Sequence, residues 1–325
     1  MAEEPRALFG PVTADLTLVE SSLRSEILRD PEVVAAPMAD LFEAGGKRIR
    51  PALVLLAAGS GKYERDKLMP AAMAVELTHA ATLVHDDVID RSAVRRGRPT
   101  VAASLGDEFA IVIGDFYFAK AYEMAARSGS AGVVAILART VMEICAGEVR
   151  QQAIRYRYST SVDEYMQRIE AKTATLLAAC CDIGALLARL NDDERGALRE
   201  YGRMLGLAFQ ITDDVLDYVG TEGEIGKPTG HDVEEGFATL PLMLAMNNAA
   251  VATTLHSKLV DGRKLNSQEA REIVDVVRNS DGPAAALQRG RDHGAAARDR
   301  LKLLGRSESL ETLELLADYV VSRKL

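Results

Sequence analysis

Two acidic clusters stand out in this chain: Asp86-Asp87-Val88-Ile89-Asp90 and Asp213-Asp214-Val215-Leu216-Asp217. Each closes an apolar stretch, Ala80-Ala81-Thr82-Leu83-Val84 before the first and Leu205-Gly206-Leu207-Ala208-Phe209 before the second. Residues four apart on a helix share a face, so Asp86 projects with Asp90, and Asp213 with Asp217. Two carboxylates on one face repel each other unless a cation sits between them. Their oxygens suit Mg²⁺, which takes one or two protein carboxylates and fills its shell with water and substrate phosphate. One such cluster alone reads as a solvated helix end. Two of the same form, each ending an apolar helix, read as metal-binding.

The basic residues supply the complementary chemistry. Lys47 and Arg50, in Gly45-Gly46-Lys47-Arg48-Ile49-Arg50-Pro51, lie three apart on one helical face. Arg95 and Arg96 follow the first acidic cluster, and Lys172 and Lys227 stand in Lys172-Thr173-Ala174 and Gly226-Lys227-Pro228. Arginine forks match phosphate oxygens and lysine supplies a point charge. Each alone reads as a surface charge. Together with the carboxylates they describe a site for two polyphosphates, one held through metal and one held directly.

Long helices must position these groups. Between Pro99 and Pro228 the chain has no proline, and its segments are rich in Ala, Leu, Glu and Arg. Apolar residues recur at helical spacing, as in Ile144, Val149, Ile154, Met166, Ile169, Leu176 and Leu177. No sustained strand-like alternation occurs. The pattern predicts helices over 12–29, 37–59, 67–91, 103–127, 131–157, 161–189, 193–220, 238–258, 267–278, 282–304 and 308–323, in one domain spanning 1–325. Asn191-Asp192-Asp193 is placed to cap the helix that follows it. Residues 220–236 are glycine-rich and polar, hence a loop.

Composition narrows the class. The 325 residues carry a net charge of -9, with basic residues in short clusters, which argues against the extended basic face of a nucleic-acid binder. No apolar run is long enough to span a membrane, and the acidic start MAEEPRALFG is unlike a secretory leader. Cys145, Cys180 and Cys181 make a poor disulfide framework and read as thiols in a reducing compartment, so cytoplasm is expected.

From about residue 40 onward the chain resembles the trans-isoprenyl diphosphate synthases, also called polyprenyl synthetases. The matching stretches are GGKRIRP (45–51), HDDVID (85–90), RRGRPT (95–100), GD (114–115), GE (147–148), KTA (172–174), FQITDDVLD (209–217) and GKPTG.D (226–232). The resemblance implies an all-α bundle around a central cavity, with the acidic motifs facing each other at its mouth. It implies a homodimer and the head-to-tail joining of isopentenyl diphosphate to an allylic diphosphate. Asp86, Asp90 and Asp213 would bind the Mg²⁺ ions, three in number with allylic substrate present, and Asp87, Asp214 and Asp217 would support the metal shell. Arg95, Lys172 and Lys227 would complete the allylic pocket. Lys47, Arg50, His79 and Arg96 would hold isopentenyl diphosphate without metal. Thr173 and Gln210 would offer dipoles to the carbocation. His85, beside Asp86, reads as structural.

The resemblance also bears on product length. The growing chain would run beside the helix leading to Asp86, where a bulky residue four or five positions earlier acts as a floor. This chain has Ala81 and Thr82 there, with Thr78 and Ala74 on the same stripe. Small residues over two turns would leave about 10 Å of unobstructed wall, implying a product of C20 or longer, with C25–C40 favoured. The competing reading is that small residues let two helices pack closely. Phe116, Tyr117, Phe118 or Tyr122 on a neighbouring helix could also supply a floor.

One departure is evident. Where the family pattern reads EGK.TLP, this chain has Glu235-Gly236-Phe237-Ala238-Thr239-Leu240-Pro241, so Phe237 replaces a lysine. Three rival readings remain: a geranylgeranyl diphosphate synthase specifically, a class I terpene cyclase of the same fold, and a silent partner subunit. The intact second cluster and GGKRIRP argue against a cyclase, and retention of both clusters argues against a silent subunit.

Overall fold

A computed structural model of the chain describes residues 8–220 and 229–322. Apart from one two-residue hairpin, the regular structure among them is helical. After a 3-10 turn at Gly10–Val12 come α1 (Thr13–Ile27), α2 (Glu32–Glu43), α3 (Ile49–Ala58) and α4 (Arg65–Ile89). The hairpin pairs β1 (Val94–Arg95) with β2 (Arg98–Pro99), Arg95 opposite Arg98. Then follow α5 (Val101–Leu105), α6 (Asp107–Arg127), α7 (Ala131–Ala153) and α8 (Val162–Ile169). A π-helical turn, Glu170–Ala174, joins α8 to α9 (Thr175–Leu187), and α10 (Asp192–Val219) carries the second acidic cluster. The remainder is α11 (His231–Glu234), α12 (Leu240–Ala245), α13 (Ala249–Lys258), α14 (Ser267–Arg278), α15 (Gly282–Leu301) and α16 (Glu308–Ser322).

Three of the expected helices are each two, the stretch 103–127 breaking at Gly106, whose φ is 94°, between α5 and α6. The stretch 37–59 breaks at 44–48, where Gly45 and Arg48 take positive φ (96° and 52°), a backbone a helix interior does not accept. Pro51 then falls in the first turn of α3, where its missing N–H costs nothing. The stretch 238–258 breaks at Asn247-Asn248, and the Asn248 side chain accepts from the amides of Ala250 and Val251 to start α13. The expected start of α10 holds. Asn191 accepts from the Glu194 amide and Glu194 accepts from the Asn191 amide, a reciprocal cap.

Contacts divide the chain into two compact units. The first comprises Met1–Val141, Leu176–Gly202 and Arg300–Leu315. Its centre is α3, buried from Pro51 to Ala58, with α4 and α6 packed along each other. The second comprises Met142–Thr175, Arg203–Asp299 and Leu316–Leu325. Its core gathers Tyr165, Ile169, Leu207, Ile211, Val215 and Tyr218 with residues of α12 to α15. Here α10 crosses the π turn closely. A Cβ on Gly206 would stand 2.4 Å from the Ala174 Cα, so only glycine lets the two backbones meet.

Candidate active site

In the first unit, the first acidic cluster forms the last turn of α4. Asp86 and Asp90 are half-buried there. Carboxylates at a helix C-terminus meet the negative end of the helix dipole, so this placement favours cations nearby. Asp87 points elsewhere. It is 2% exposed and accepts from Arg95, whose Nε stands 2.8 and 3.0 Å from its two oxygens and whose Nη2 lies 2.7 Å from Oδ1. That pair ties the hairpin to α4. The hairpin turns through Arg96 and Gly97, both at positive φ (51° and 75°), the backbone of a tight two-residue turn.

His79 lies two turns before Asp86 and is half-buried. Burial and then the charges of Arg50, Arg96, Arg95 and Arg48 hold its pKa well below the ordinary imidazole value, so it is neutral. The charges of Arg50 and Arg96, which the resemblance groups with His79, thus reach it, and so do those of Arg95, expected in the allylic pocket, and of Arg48. Arg48 donates to Glu20 (3.0 Å), Glu76 (2.8 Å) and the Phe42 carbonyl (2.9 Å), and stacks on the Phe42 ring. It anchors the 44–48 segment to α4 through the buried Glu76, which helps hold Lys47 and Arg50 in place. Lys47 is exposed. His85 bridges α4 to α6, with Nε2 3.0 Å from the Ile111 carbonyl and its ring 5.5 Å from that of Phe118.

On α4, Ala74, Thr78 and Ala81 have no exposed surface, the condition close helix packing produces. The half-exposed members of the neighbouring face are His79, Thr82, Leu83 and Asp86. Thr78 and Thr82 turn their hydroxyls back to the carbonyls of Ala74 (2.9 Å) and His79 (2.7 Å). Tyr117 is buried and donates to Asp30 and the Val34 carbonyl, both at 3.3 Å.

In the second unit, a Ser161–Glu164 capping box starts α8, and the π turn presents Lys172 and Thr173. Lys172 lies 3.1 Å from Glu148 of α7. Thr173 donates to Gln210 Oε1 (2.7 Å), and Gln210 Nε2 donates to Asp214 Oδ1 (2.8 Å). Tyr165 donates to Asp214 Oδ2 (2.8 Å). Both oxygens of Asp214 are therefore engaged inside the protein. Burial and then Asp232 push its pKa up, against the hydrogen bonds and the Arg168 charge. Asp217 accepts from the amides of His231 (3.3 Å) and Asp232 (3.1 Å), capping α11. Asp213 is half-buried on the same face of α10 as Gln210 and Asp217. Lys227 lies outside the described residues. Phe237 is buried, with the guanidinium carbons of Arg155 and Arg168 5.7 and 5.5 Å from its ring centre.

The bonds of Asp87, Asp214 and Asp217 hold the scaffold within each unit, and Asp86, Asp90 and Asp213 are half-buried. Among the described residues no three His, Cys, Asp or Glu side chains converge as a closed metal cage. A sparse, all-oxygen donor set fits Mg²⁺, which draws most of its shell from water and phosphate. Reading the sequence alone missed Arg48, Glu76, Tyr165 and Arg168. Glu76 and Tyr165 were detectable only as polar groups on otherwise apolar helical faces.

The polyprenyl synthetase family model matches residues 31–277. Heptaprenyl diphosphate synthase component 2 of Geobacillus stearothermophilus is 38% identical over 276 residues, 85% of either chain. Polyprenyl synthase from Caulobacter crescentus CB15, solved with calcium and isoprenyl diphosphate, superposes with a TM-score of 0.92 at 34% identity over 98% of either chain. Geranylgeranyl pyrophosphate synthase from Lactobacillus brevis ATCC 367 superposes with a TM-score of 0.88 at 29% identity, over 97% of this chain and 98% of that one. The fold and these relatives define an all-α prenyltransferase of the isoprenoid synthase type. The chain belongs to the polyprenyl synthetase family.

Proposed function

We propose that this enzyme joins isopentenyl diphosphate head-to-tail to an allylic diphosphate in a Mg²⁺-dependent reaction, making an all-trans polyprenyl diphosphate of C20 or longer. The observation that carries this reading is the arginine cluster around neutral His79, in the same unit as Asp86 and Asp90. A terpene cyclase of this fold ionises one diphosphate and has no second one to anchor. Arg50 and Arg96, with His79 and Lys47, form a place for a diphosphate held without metal.

The chain's own groups then divide the work. Mg²⁺, when bound, supplies charge that stabilises the departing diphosphate. In the first unit Asp86 and Asp90 offer it carboxylates, and in the second Asp213 does. Asp87, Asp214 and Asp217 support that shell by fixing its surroundings. Arg95, Lys172 and Lys227 bind the allylic diphosphate. Thr173 donates its hydroxyl hydrogen bond to Gln210 Oε1, which leaves the hydroxyl oxygen's lone pairs as a dipole to face the allylic cation. The face of α4 at Thr82 excludes water that would quench that cation. The double bond of isopentenyl diphosphate attacks, and the proton then lost goes to the released diphosphate.

The proposal extends to a homodimer in the cytoplasm, with residues 1–325 working as one domain. Phe109, Ile111 and Val112 on α6 are 56%, 46% and 63% exposed, an apolar surface of the kind a second copy covers. Among the described residues no helix is long and apolar enough to cross a membrane. The names of the relatives run from geranylgeranyl to decaprenyl, and product length rests on Thr82 and its neighbours.

The test is to incubate the purified chain alone with labelled isopentenyl diphosphate, farnesyl diphosphate and Mg²⁺, with and without a chelator. A Mg²⁺-dependent linear product of C20 or more is expected. A cyclic hydrocarbon, or a product that ignores the isopentenyl label, overturns the reading. A second reading is favoured by the Geobacillus relative, named as one component of a synthase: activity only after a partner subunit is added would establish it.

A further inference from the structure

The Phe237 ring sits between two arginines, and the two differ in their partners. Arg155 forms an ion pair with the Glu235 carboxylate and gives Nε to the Glu235 carbonyl at 2.8 Å. Its charge is matched. Arg168 gives Nη2 to the Ala238 carbonyl at 2.9 Å, a neutral acceptor. Its guanidinium also lies 5.4 Å from the centre of the Tyr165 ring, and the hydroxyl of that ring donates to Asp214 Oδ2 at 2.8 Å. Arg168 is therefore one tyrosine ring away from the second acidic cluster. It precedes Lys172 by four residues, about one turn in either α- or π-helical geometry, so the two cations share a side of this segment.

Why a buried aromatic ring should hold an arginine there follows from two facts. Guanidinium stacks well on aromatic faces and remains able to fork onto phosphate oxygens. A stacked guanidinium also loses less freedom on binding, because its plane is already set. In the family pattern quoted above this position carries a lysine, and here a ring occupies it. A positive charge stands beside the ring all the same, on Arg168, 5.5 Å from its centre.

We propose that Arg168 is a diphosphate-binding side chain of this enzyme, held in its working orientation by Phe237. It supplies the cation that Phe237 cannot, on the allylic substrate rather than on isopentenyl diphosphate. The inference rests on the reading that the second unit binds an allylic diphosphate.

Steady-state kinetics on the full chain test it, with the KM of each substrate measured separately. Loss of a charge-assisted contact predicts that Arg168→Met raises the allylic KM about tenfold, with the isopentenyl KM changed less than about twofold. Arg168→Lys should keep most of the allylic affinity. Phe237→Lys alone should change the allylic KM little, whereas Phe237→Lys added to Arg168→Met should restore it, the non-additivity a shared role requires. Titration of inorganic diphosphate in the presence of Mg²⁺ gives a readout independent of turnover, and should weaken in Arg168→Met and recover in the double variant. Phe237→Leu keeps the apolar volume and serves if Arg168→Met does not fold; it should raise the allylic KM alone. An unchanged allylic KM in folded Arg168→Met, or an equal rise in both KM values, overturns the assignment while leaving the synthase reading intact. A wild-type chain that makes no elongated product fails that reading instead.

Discussion

Asp87 and Arg95 form a doubly bonded pair between the last turn of α4 and the hairpin that follows, with Asp87 almost wholly buried. The second Asp of the first cluster is thereby a fastening, whereas the metal role is the one proposed for its neighbours Asp86 and Asp90. Asp87→Asn should loosen the hairpin that presents Arg96. We expect a loss of about 1–3 kcal/mol in stability, the usual cost of disrupting a buried, charge-assisted bond, read from denaturant unfolding. We also expect a raised KM for isopentenyl diphosphate. Unchanged stability would show the pair to be incidental.

Asp86→Asn keeps the shape of its side chain and removes the charge. If Asp86 helps hold the metal that stabilises the leaving diphosphate, kcat should fall by orders of magnitude, since such charge stabilisation amounts to several kcal/mol. Near-normal turnover in a folded variant would remove Asp86 from the site.

His79 makes the protein sensitive to acid. In the unfolded chain a histidine takes a proton near pH 6.5, whereas burial and four arginines keep the folded form neutral to a much lower pH. Below about pH 6.5 the unfolded state therefore binds more protons than the folded one, and stability falls as pH drops through that range. His79→Gln should flatten the decline between about pH 6.5 and 5, measured as the denaturation midpoint against pH. An identical slope in the variant would mean that other groups set it.

Product length should answer to Thr82. Ala81 has no exposed surface, so Ala81→Phe would strain the packing of α4 before it met a substrate. Thr82 is half-exposed on the face shared with His79 and Asp86. Thr82→Phe should shorten the main product by one or more isoprene units at little cost in stability, as seen by chromatography of the dephosphorylated products. An unchanged distribution would place the floor elsewhere, with Phe116, Phe118 and Tyr122 the next positions to vary.

Much of this was legible in the sequence because helical proteins write their structure locally. The proline-free stretch from 100 to 227, the Asn191 cap and the two acidic helix ends all rest on residues within a few positions of each other. The break at 44–48, which the expected helix 37–59 ran through, had an equally local signal, since Gly45-Gly46 followed by Pro51 marks a helix end and a new first turn. The pairing that shapes the site was less so. Tyr165 meets Asp214 across 49 residues and Arg48 meets Glu76 across 28, and no periodicity within one helix announces a partner on another. Phe237 illustrates the limit: the missing lysine was visible, but the arginines beside the ring became visible only in the fold.

The π turn at Glu170–Ala174 holds one residue more than an α-helix would need for the same rise. It makes this segment a register device. Removing a single residue from it, Ala171 for instance, would let the helix run on as ordinary α, and the residues beyond the excision would keep nearly the bearing they have now, because the wider turn already absorbs the extra residue. The change would fall on the turn itself, which presents Lys172 and Thr173. The length of this stretch is accordingly as much a part of the site as its side chains. Homologues or designed variants that differ here by one residue should be aligned by the phase of the helix before any residue in them is matched to Lys172 or Thr173.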